Sequence, residues 1–393
     1  MTRAGTATTP PDFDPLDPAV AGDPHREFAR LRATCPVARG DRWNGFWALL
    51  RYDDIVRAVT APATFSNADG IVIPRNPVAG RRAPMHYDPP EHTRYRRALN
   101  PPFHAERVTV LAPEIRSIAR ELVTACASAG SVDAVTGFTS PLATRVLIRF
   151  LHLDAGTAER VRELSERFEA AQKAEDQALA EATSAALYEV ARAAVDGRRA
   201  APQPPAEDVI SGLLAEGLDE EFVAGTVRQL LIAGHVPVTL ALASAILHLA
   251  TDDELQGTLR GDPALIGDAV EEFLRLYTPN VGFSRTATRD VRLGGRSVRL
   301  GERVAMVYTA ANRDPEVFAK PDRFVLGRTP NRHLAFGHGV HKCVGTVLAR
   351  LELRVAIEEL LAGCTVRLAG DPSWSHWPEY GPHEVPLHLT PLR

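Results

Sequence analysis

Apolar positions recur at three- and four-residue intervals through most of the chain, which predicts a protein built mainly of amphipathic helices. The spacing runs from Glu91 to Arg199 with an interruption near 129–141. It returns after the connection APQPPAED (201–208) and continues to Tyr277. Two shorter helices are expected earlier, in HREFARLRAT (25–34) and from DDIVRAVT (53–60), on either side of a strand at FWALL (46–50). Residues 66–87, with Gly70, Pro74, Pro77, Gly80 and Pro84, read as a loop. Beyond Tyr277 the period changes. VRLGGRSVRLGERVAMV (291–307) alternates apolar and polar residues around Gly294-Gly295, a hairpin signal. Residues 311–342 carry little periodicity, a last helix is expected from Val344 to Leu361, and short strands close the chain. The first 20 residues, rich in Pro and Asp, are expected to be extended. No compositional break or internal repeat divides the sequence, so one domain over 1–393 is expected, mainly α with a smaller β-rich part.

One stretch conflicts with its own pattern. Gln229 to Thr251 contains no Asp, Glu, Lys or Arg, as expected of a buried helix. Yet LLIAGHVPVTL (230–240) places Gly234 and Pro237, the two poorest helix formers, in its middle. The run is long enough to cross a bilayer, but His235, Pro237, Thr239, Ser244 and His248 dilute it and it stands alone, so a core helix is expected.

Composition narrows the function classes. A net charge of −4 argues against a general nucleic-acid or anionic-membrane binder. Cys35, Cys126, Cys343 and Cys364 show no paired spacing, which fits a reducing cytoplasm better than a disulfide framework. The start, MTRAGTATTPPDFDPLDP, has no apolar stretch of the kind a signal peptide or membrane anchor needs. A cytoplasmic monomer is expected.

The chemistry concentrates in HLAFGHGVHKCVGTVLARLELRVAIEELL (333–361). A Gly-rich turn delivers Cys343 just ahead of a long helix, where the macrodipole and Lys342 would both favour thiolate. Gly337 and Gly339 permit tight backbone paths, and Gly345 keeps the first helical turn thin. This is geometry for holding a thiolate against something flat and large. Two other readings stand beside it: an ordinary buried cysteine near a turn, or a zinc site from His338, His341 and Cys343. Covalent c-type haem attachment is excluded locally, since there is no C-x-x-C-H.

FGHGVHKCVG (336–345) matches, at every fixed position, the Phe-Gly-x-Gly-x-His-x-Cys-x-Gly haem-ligand signature of the cytochromes P450. The chain resembles the soluble bacterial members of that family over nearly its whole length. EEFLR (271–275) carries the family's Glu-x-x-Arg as Glu272 and Arg275; DPPEHTRYRRALNPPF (88–103) resembles its haem-clamping stretch; SRTATRD (284–290) and ANRDPEVFAKPDRF (311–324) resemble the usual neighbours. The resemblance implies the cytochrome P450 fold and a bound haem b (iron protoporphyrin IX), with Cys343 as the proximal iron ligand. It places Phe336, Gly337 and Gly345 in the haem loop, and His92, Arg96, Arg285 and His341 against the two propionates. It makes Glu272 and Arg275 a buried scaffold pair with Arg323 or Arg328. Arg94 and Arg97 are expected to face solvent.

The implied activity is a regio-selective oxidation of a small organic molecule with O2, in bacterial secondary metabolism or catabolism. Electrons would come from a separate ferredoxin and ferredoxin reductase, since no Cys cluster or nucleotide-binding glycine motif is fused here. Arg97, Lys342, Arg350 and Arg354 could form a basic patch for such an acidic partner, or be scattered surface charge. The family layout sets four stretches over the haem: the 67–85 loop, the 229–251 helix, PNVGFS (279–284) and the turn near EYGPHEV. Ile232, Val236, Val281, Phe283 and His383 would then line the substrate pocket. Arg75, Arg81 and Arg82 could greet an anionic substrate or lie on the surface. Trp374, Trp377 and Tyr380 would shape the pocket or simply pack. Two other activities remain open, a peroxide-using or coupling catalyst and a haem protein without turnover.

In the family the central helix usually carries an acid and an alcohol side by side after Ala-Gly, and they arrange the waters that deliver protons. Here Val236 and Pro237 stand in those slots. Pro237 leaves the Ala233 carbonyl without its helical donor and should kink the helix, while Gly234 would give dioxygen room. The freed carbonyl could hold a water or a substrate hydroxyl. Thr239 lies roughly 200° round the helix from the alcohol slot and is a poor substitute. The plainer alternative is that Pro237 only packs and other waters supply the protons.

Overall fold

The computed structural model describes residues 12–74 and 81–392. Helices dominate, as the periodicity predicts. The longer ones are Ala112–Ala129, Ser140–Phe150, Thr157–Lys173, Gln177–Ala200, Glu220–Ala233, Val236–Ala250, Ile266–Leu276 and Thr346–Gly363. Their apolar faces meet in one large core in which Leu242, Ile246, Val355 and Ile357 are fully buried. The stretch Glu220–Ala250, apolar and long enough to cross a membrane, is 67% buried by the rest of the protein over its most apolar window. It is a core element here.

The β-rich part lies beside this core. Its main sheet has the order Val37–Gly40, Phe46–Leu49, Arg303–Val307, Gly282–Ala287 and Phe65–Ser66. All neighbours are antiparallel except Phe46–Leu49 with Arg303–Val307, which joins the beginning of the chain to its last third. At Gly282 a Cβ would stand 1.9 Å from the Met306 carbonyl oxygen, so only glycine lets these two strands approach. The expected hairpin forms with Gly294 and Gly295 both at positive φ, the conformation its two-residue turn demands. A three-stranded sheet (Ser131–Asp133, Pro386–Pro391, Cys364–Leu368) fills the interruption expected near 129–141.

The extended N-terminal segment needs correction. Residues 1–11 lie outside the described part, but Pro18–Gly22 is a short helix. Asp17 caps it, its side chain accepting from the Ala19 N–H at 2.8 Å, and Pro18 opens its first turn. Five residues are too few to show a period.

The irregular stretch after the main sheet is held by one buried carboxylate. Glu272, fully buried, accepts two hydrogen bonds from Arg275 at 2.8 Å, two from Arg328 Nε at 3.0 and 3.1 Å, and one from the Val325 N–H at 2.9 Å. Arg275 donates onward to the carbonyls of Asn312, Pro321 and Arg323. The third side chain of the network is therefore Arg328, while Arg323 lends only its backbone. Burial alone would raise the Glu272 carboxyl, but these donors outweigh it and hold the pKa below its ordinary value. That stabilisation is present above the normal carboxylate pKa and is lost as pH falls through the lowered one. We expect Arg275→Leu to cost about 3–5 kcal/mol, because it leaves Glu272 buried without the partner that neutralises it most directly. Urea denaturation of the two proteins at neutral pH measures it, and a loss under about 1 kcal/mol would contradict the assigned role.

Candidate functional site

Cys343 is positioned by its backbone before its sulfur is considered. The fully buried Asn312 side chain donates to Thr278 Oγ1 at 2.6 Å and accepts from the Leu334 N–H at 2.7 Å. The Leu334 carbonyl takes the Gly337 N–H at 2.9 Å, and the Phe336 carbonyl takes the Cys343 N–H at 2.9 Å. Gly337 and Gly339 sit at φ +67° and +73°, a region that disfavours any side chain. At Gly339 a Cβ would also stand 2.7 Å from the Val59 carbonyl. The Arg350 guanidinium lies over the Phe336 ring at 4.6 Å and fixes its plane.

The helix behind the loop starts at Thr346, so Cys343 precedes it by three residues and gains less from its dipole than the sequence suggested. Cys343 is exposed to solvent, yet protein surrounds its thiol closely. Burial pushes its pKa up; the Gly345 amide and then Arg96, Arg350 and Lys342 pull the other way without winning. Lys342 thus favours the thiolate as expected, but burial opposes it. A Cβ on Gly345 would stand 3.9 Å from both the sulfur and Phe103, on the side the thiol faces.

Around this sulfur the structure gathers the four predicted cationic side chains. His92 is buried on the Glu91–Leu99 helix, its ring centroid 4.3 Å from that of His341, and its Nε2 has no partner. Burial, then the neighbouring His341 and Arg96, lower its pKa to about 4. Arg96 is shifted by burial and by the nearby Cys343, with no acid among its influences. Arg285 is buried and donates from Nη1 to the carbonyl of its own neighbour Ser284 at 2.9 Å. His341 Nε2 lies 3.9 Å from Asp88, an ion-pair separation too long for a hydrogen bond, so that nitrogen is also unsatisfied. Asp88 itself is bonded to the Ser66 hydroxyl and the Asn67 N–H. Two arginines and two imidazoles thus surround a thiol with one committed carboxylate near them. A flat dianion with two carboxylates, such as the haem implied by the sequence, fits this donor set. Zinc does not: among the described residues no three His, Cys, Asp or Glu side chains converge on one point.

The other wall of the site differs from expectation. The central run is two helices, Glu220–Ala233 and Val236–Ala250, so Pro237 occupies the first turn of a new helix, where its missing N–H is harmless. The break lies at Gly234 and His235, whose N–H groups reach back to the Leu230 and Ile232 carbonyls at 2.9 and 3.1 Å. A Cβ on Gly234 would meet Leu147 at 2.7 Å, so this glycine serves helix packing and its hydrogen does not face open space. His235 anchors the break: buried, it reaches Ser140 Oγ at 3.0 Å, and that hydroxyl donates to Glu166 at 2.6 Å. Because the one Ser140 proton goes to Glu166, His235 donates from Nε2 and is neutral; burial and then Arg162 hold its pKa near about 4. Thr239 Oγ1 is buried without a partner.

The predicted pocket residues scatter. Ile232 packs toward Phe168, Ala171 and Ala180. Val236 is buried, and Val281 lies within the cluster of Phe13, Phe28, Trp377 and Tyr380. Phe283 packs edge-on to the buried Tyr308, with centroids 6.3 Å apart. His383 is exposed on the Gly381–Glu384 strand. Of the proposed basic patch, Arg350 is paired with Glu271 and the exposed Arg354 lies 3.8 Å from Glu358, while Arg97 and Lys342 are exposed and in none of the ion pairs among the described residues. Arg75 falls outside the described residues, and Arg81 stacks on Tyr87 at 4.2 Å. Sequence reasoning missed Asn312, although it sits in the flagged stretch ANRDPEVF; nothing there marks it as the clamp of a loop thirty residues away.

A family model described as Cytochrome P450 matches residues 178–376. A mycinamicin IV hydroxylase/epoxidase from Micromonospora griseorubida is 35% identical over 378 residues, covering 92% of this chain and 94% of its own. A nocardicin C N-oxygenase from Nocardia uniformis subsp. tsuyamanensis is 35% identical over 406 residues, covering 99% of each. Among solved structures, a cytochrome P450 from Chondromyces apiculatus superposes with a TM-score of 0.86 at 29% identity, over 97% of this chain and 98% of its own.

The donor set itself gives a test. Arg96→Ala and Arg285→Ala are each expected to lower haem retention while the apoprotein stays folded, since each truncates one side of a charged pair worth about 2–5 kcal/mol. Haem-to-protein stoichiometry after gel filtration measures this, with circular dichroism as the control. Full stoichiometry in both variants would remove these arginines from the site.

Proposed function

The chain belongs to the cytochrome P450 family and is a haem b monooxygenase, and from that premise we propose that Cys343 ligates the iron and that the enzyme oxidises a small organic molecule regio-selectively. The observation that carries this reading is the fixed Cys343 backbone facing Arg96, Arg285, His92 and His341. Bound haem supplies oxygen activation, which a thiolate ligand assists by adding electron density. The protein's part is placement and proton control. Phe336, Gly337 and Gly345 shape the loop, and Arg96 and Arg285, with the imidazoles of His92 and His341 as neutral donors, would hold the propionates. The hydroxylase/epoxidase and N-oxygenase named among its relatives support a role in bacterial secondary metabolism or catabolism. A ferredoxin and its reductase would deliver electrons at the face carrying Arg97 and Lys342. The protein works as a soluble cytoplasmic monomer in which residues 1–393 form one domain.

Purified protein is expected to carry b-type haem, and its reduced CO complex to show the red-shifted band of thiolate ligation. Cys343→Ala should abolish that band. A variant that keeps both haem and an unchanged CO spectrum sinks the assignment.

Proton supply is the finer part of the reading. Val236 and Pro237 stand in the acid and alcohol slots after Gly234, and Pro237 cannot donate to the Ala233 carbonyl. That oxygen would accept a hydrogen bond from a water or a substrate hydroxyl, and the proton supplied would be that of the held water or hydroxyl. Replacing Val236 by Glu together with Pro237 by Thr should therefore change the coupling of electron uptake to product, or shift turnover from O2 toward peroxide. Product yield, peroxide release and peroxide-driven rate are measured with a ferredoxin system; all three unchanged would remove this segment from proton control.

A further inference from the structure

Arg228 lies on the Glu220–Ala233 helix, a turn and a half before the break, and is fully buried. Its Nη2 donates to Ser184 Oγ at 2.8 Å, and its guanidinium stacks on Phe168 at 4.6 Å with Tyr188 at 5.9 Å. Nε and Nη1 have no partner. The groups acting on it are burial, Arg82 and Tyr188; none is a carboxylate. Arg82, also buried, reaches in from the loop before the Glu91–Leu99 helix and donates to the side chain of Gln229, the next residue along. Burial lowers both guanidinium pKa values, to about 9 for Arg228 and about 10 for Arg82, so both stay charged at neutral pH.

This arrangement makes no sense as a stabilising device. Burying an ion unpaired is costly, and each unsatisfied N–H adds to the cost. Stacking on an aromatic ring returns too little to offset it. Two like charges side by side make the balance worse. The geometry does suit an oxyanion: Nε and Nη1, on either side of the occupied Nη2, each keep free N–H groups that a carboxylate or phosphate oxygen can accept from.

The place is also informative. Gln229 and Ala233 are four residues apart, on one helix face and separated by about 6 Å of rise. An anionic group at Arg228 and Arg82 would leave the rest of its molecule lying along that face toward the break. We propose that Arg228 and Arg82 form a buried subsite for an oxyanion on the substrate, so that the enzyme selects organic acids. This rests on the monooxygenase reading and supplies the substrate class that reading lacks. The carboxylate end is anchored away from the haem and the apolar end is the part oxidised.

Ferric holoprotein is titrated with dodecanoate, dodecyl phosphate and dodecanamide, following the spin-state shift of the haem absorption and the melting temperature. At least one of the two anions is expected to bind tenfold or more tighter than the amide, about 1.4 kcal/mol, and which of them binds tighter identifies the oxyanion preferred. Arg228→Gln should erase that preference while leaving amide binding and the CO band in place. If that variant loses haem, Arg82→Gln replaces it, and the wild-type comparison of acid with amide stands without any variant. Equal binding of anion and amide, no binding of either anion, or a preference that survives both substitutions overturns the subsite. A sample without the red-shifted CO band fails earlier, on the monooxygenase reading itself.

Discussion

A carboxylate with no solvent around it must be surrounded by donors, and Glu272 meets that demand in a way that organises the chain as far as Cys343. Its donors are Arg275, Arg328 and the Val325 N–H; Asn331 Nδ2 adds a longer one at 3.2 Å. Arg275 hands the constraint to the Asn312 carbonyl, Asn312 to Leu334, Leu334 to Gly337, and Phe336 to Cys343. An unbroken series of hydrogen bonds and short backbone links thus runs from a helix in the core to the sulfur. Its later part, residues 312–338, has no helix or strand. It is nevertheless ordered, because every backbone turn in it answers to a buried charge.

The same electrostatic principle sorts the site from the scaffold. Where the fold is complete in itself, buried charges are matched: Glu272 with its arginines, Glu271 with Arg350 and His333. Where a small molecule belongs, they are left over. His92, Arg96 and Arg285 face the thiol, and Arg228 lies among Phe168, Tyr188 and Ser184. A chain of net charge −4 therefore keeps a positive interior on both sides of its site.

Periodicity made the helices, the Gly294-Gly295 hairpin and the closing strands legible, because each is a local pattern. The Cys343 loop was legible because its geometry needs glycine at fixed places. Other features depend on what lies across the fold. Pro237 suggested a kink in one helix, yet only the packing of Gly234 against Leu147 and of His235 against Ser140 shows that the chain ends one helix and begins another. The dipole and Lys342 were expected to favour a thiolate at Cys343; the helix starts two residues later than expected, and burial opposes the charge, which no local pattern shows. Arg228 had a faint signal, as the last charge before a long uncharged run, but its isolation from any acid is visible only when four segments come together.

Gly339 touching the Val59 carbonyl ties the cysteine loop to a helix near the start of the chain, as does the Tyr52 hydroxyl donating to the Arg332 carbonyl, 280 residues away. Contacts of such separation close the longest loops available to a polypeptide, and they form late and slowly. During synthesis the N-terminal strands leave the ribosome long before Arg303–Val307 exists to pair with them. The sheet edge at Phe46–Leu49 must wait, unpaired on that side, for nearly the whole protein to be made. The reaction centre is therefore the part of the molecule assembled last, and capture of its cofactor coincides with the closing of the chain upon itself.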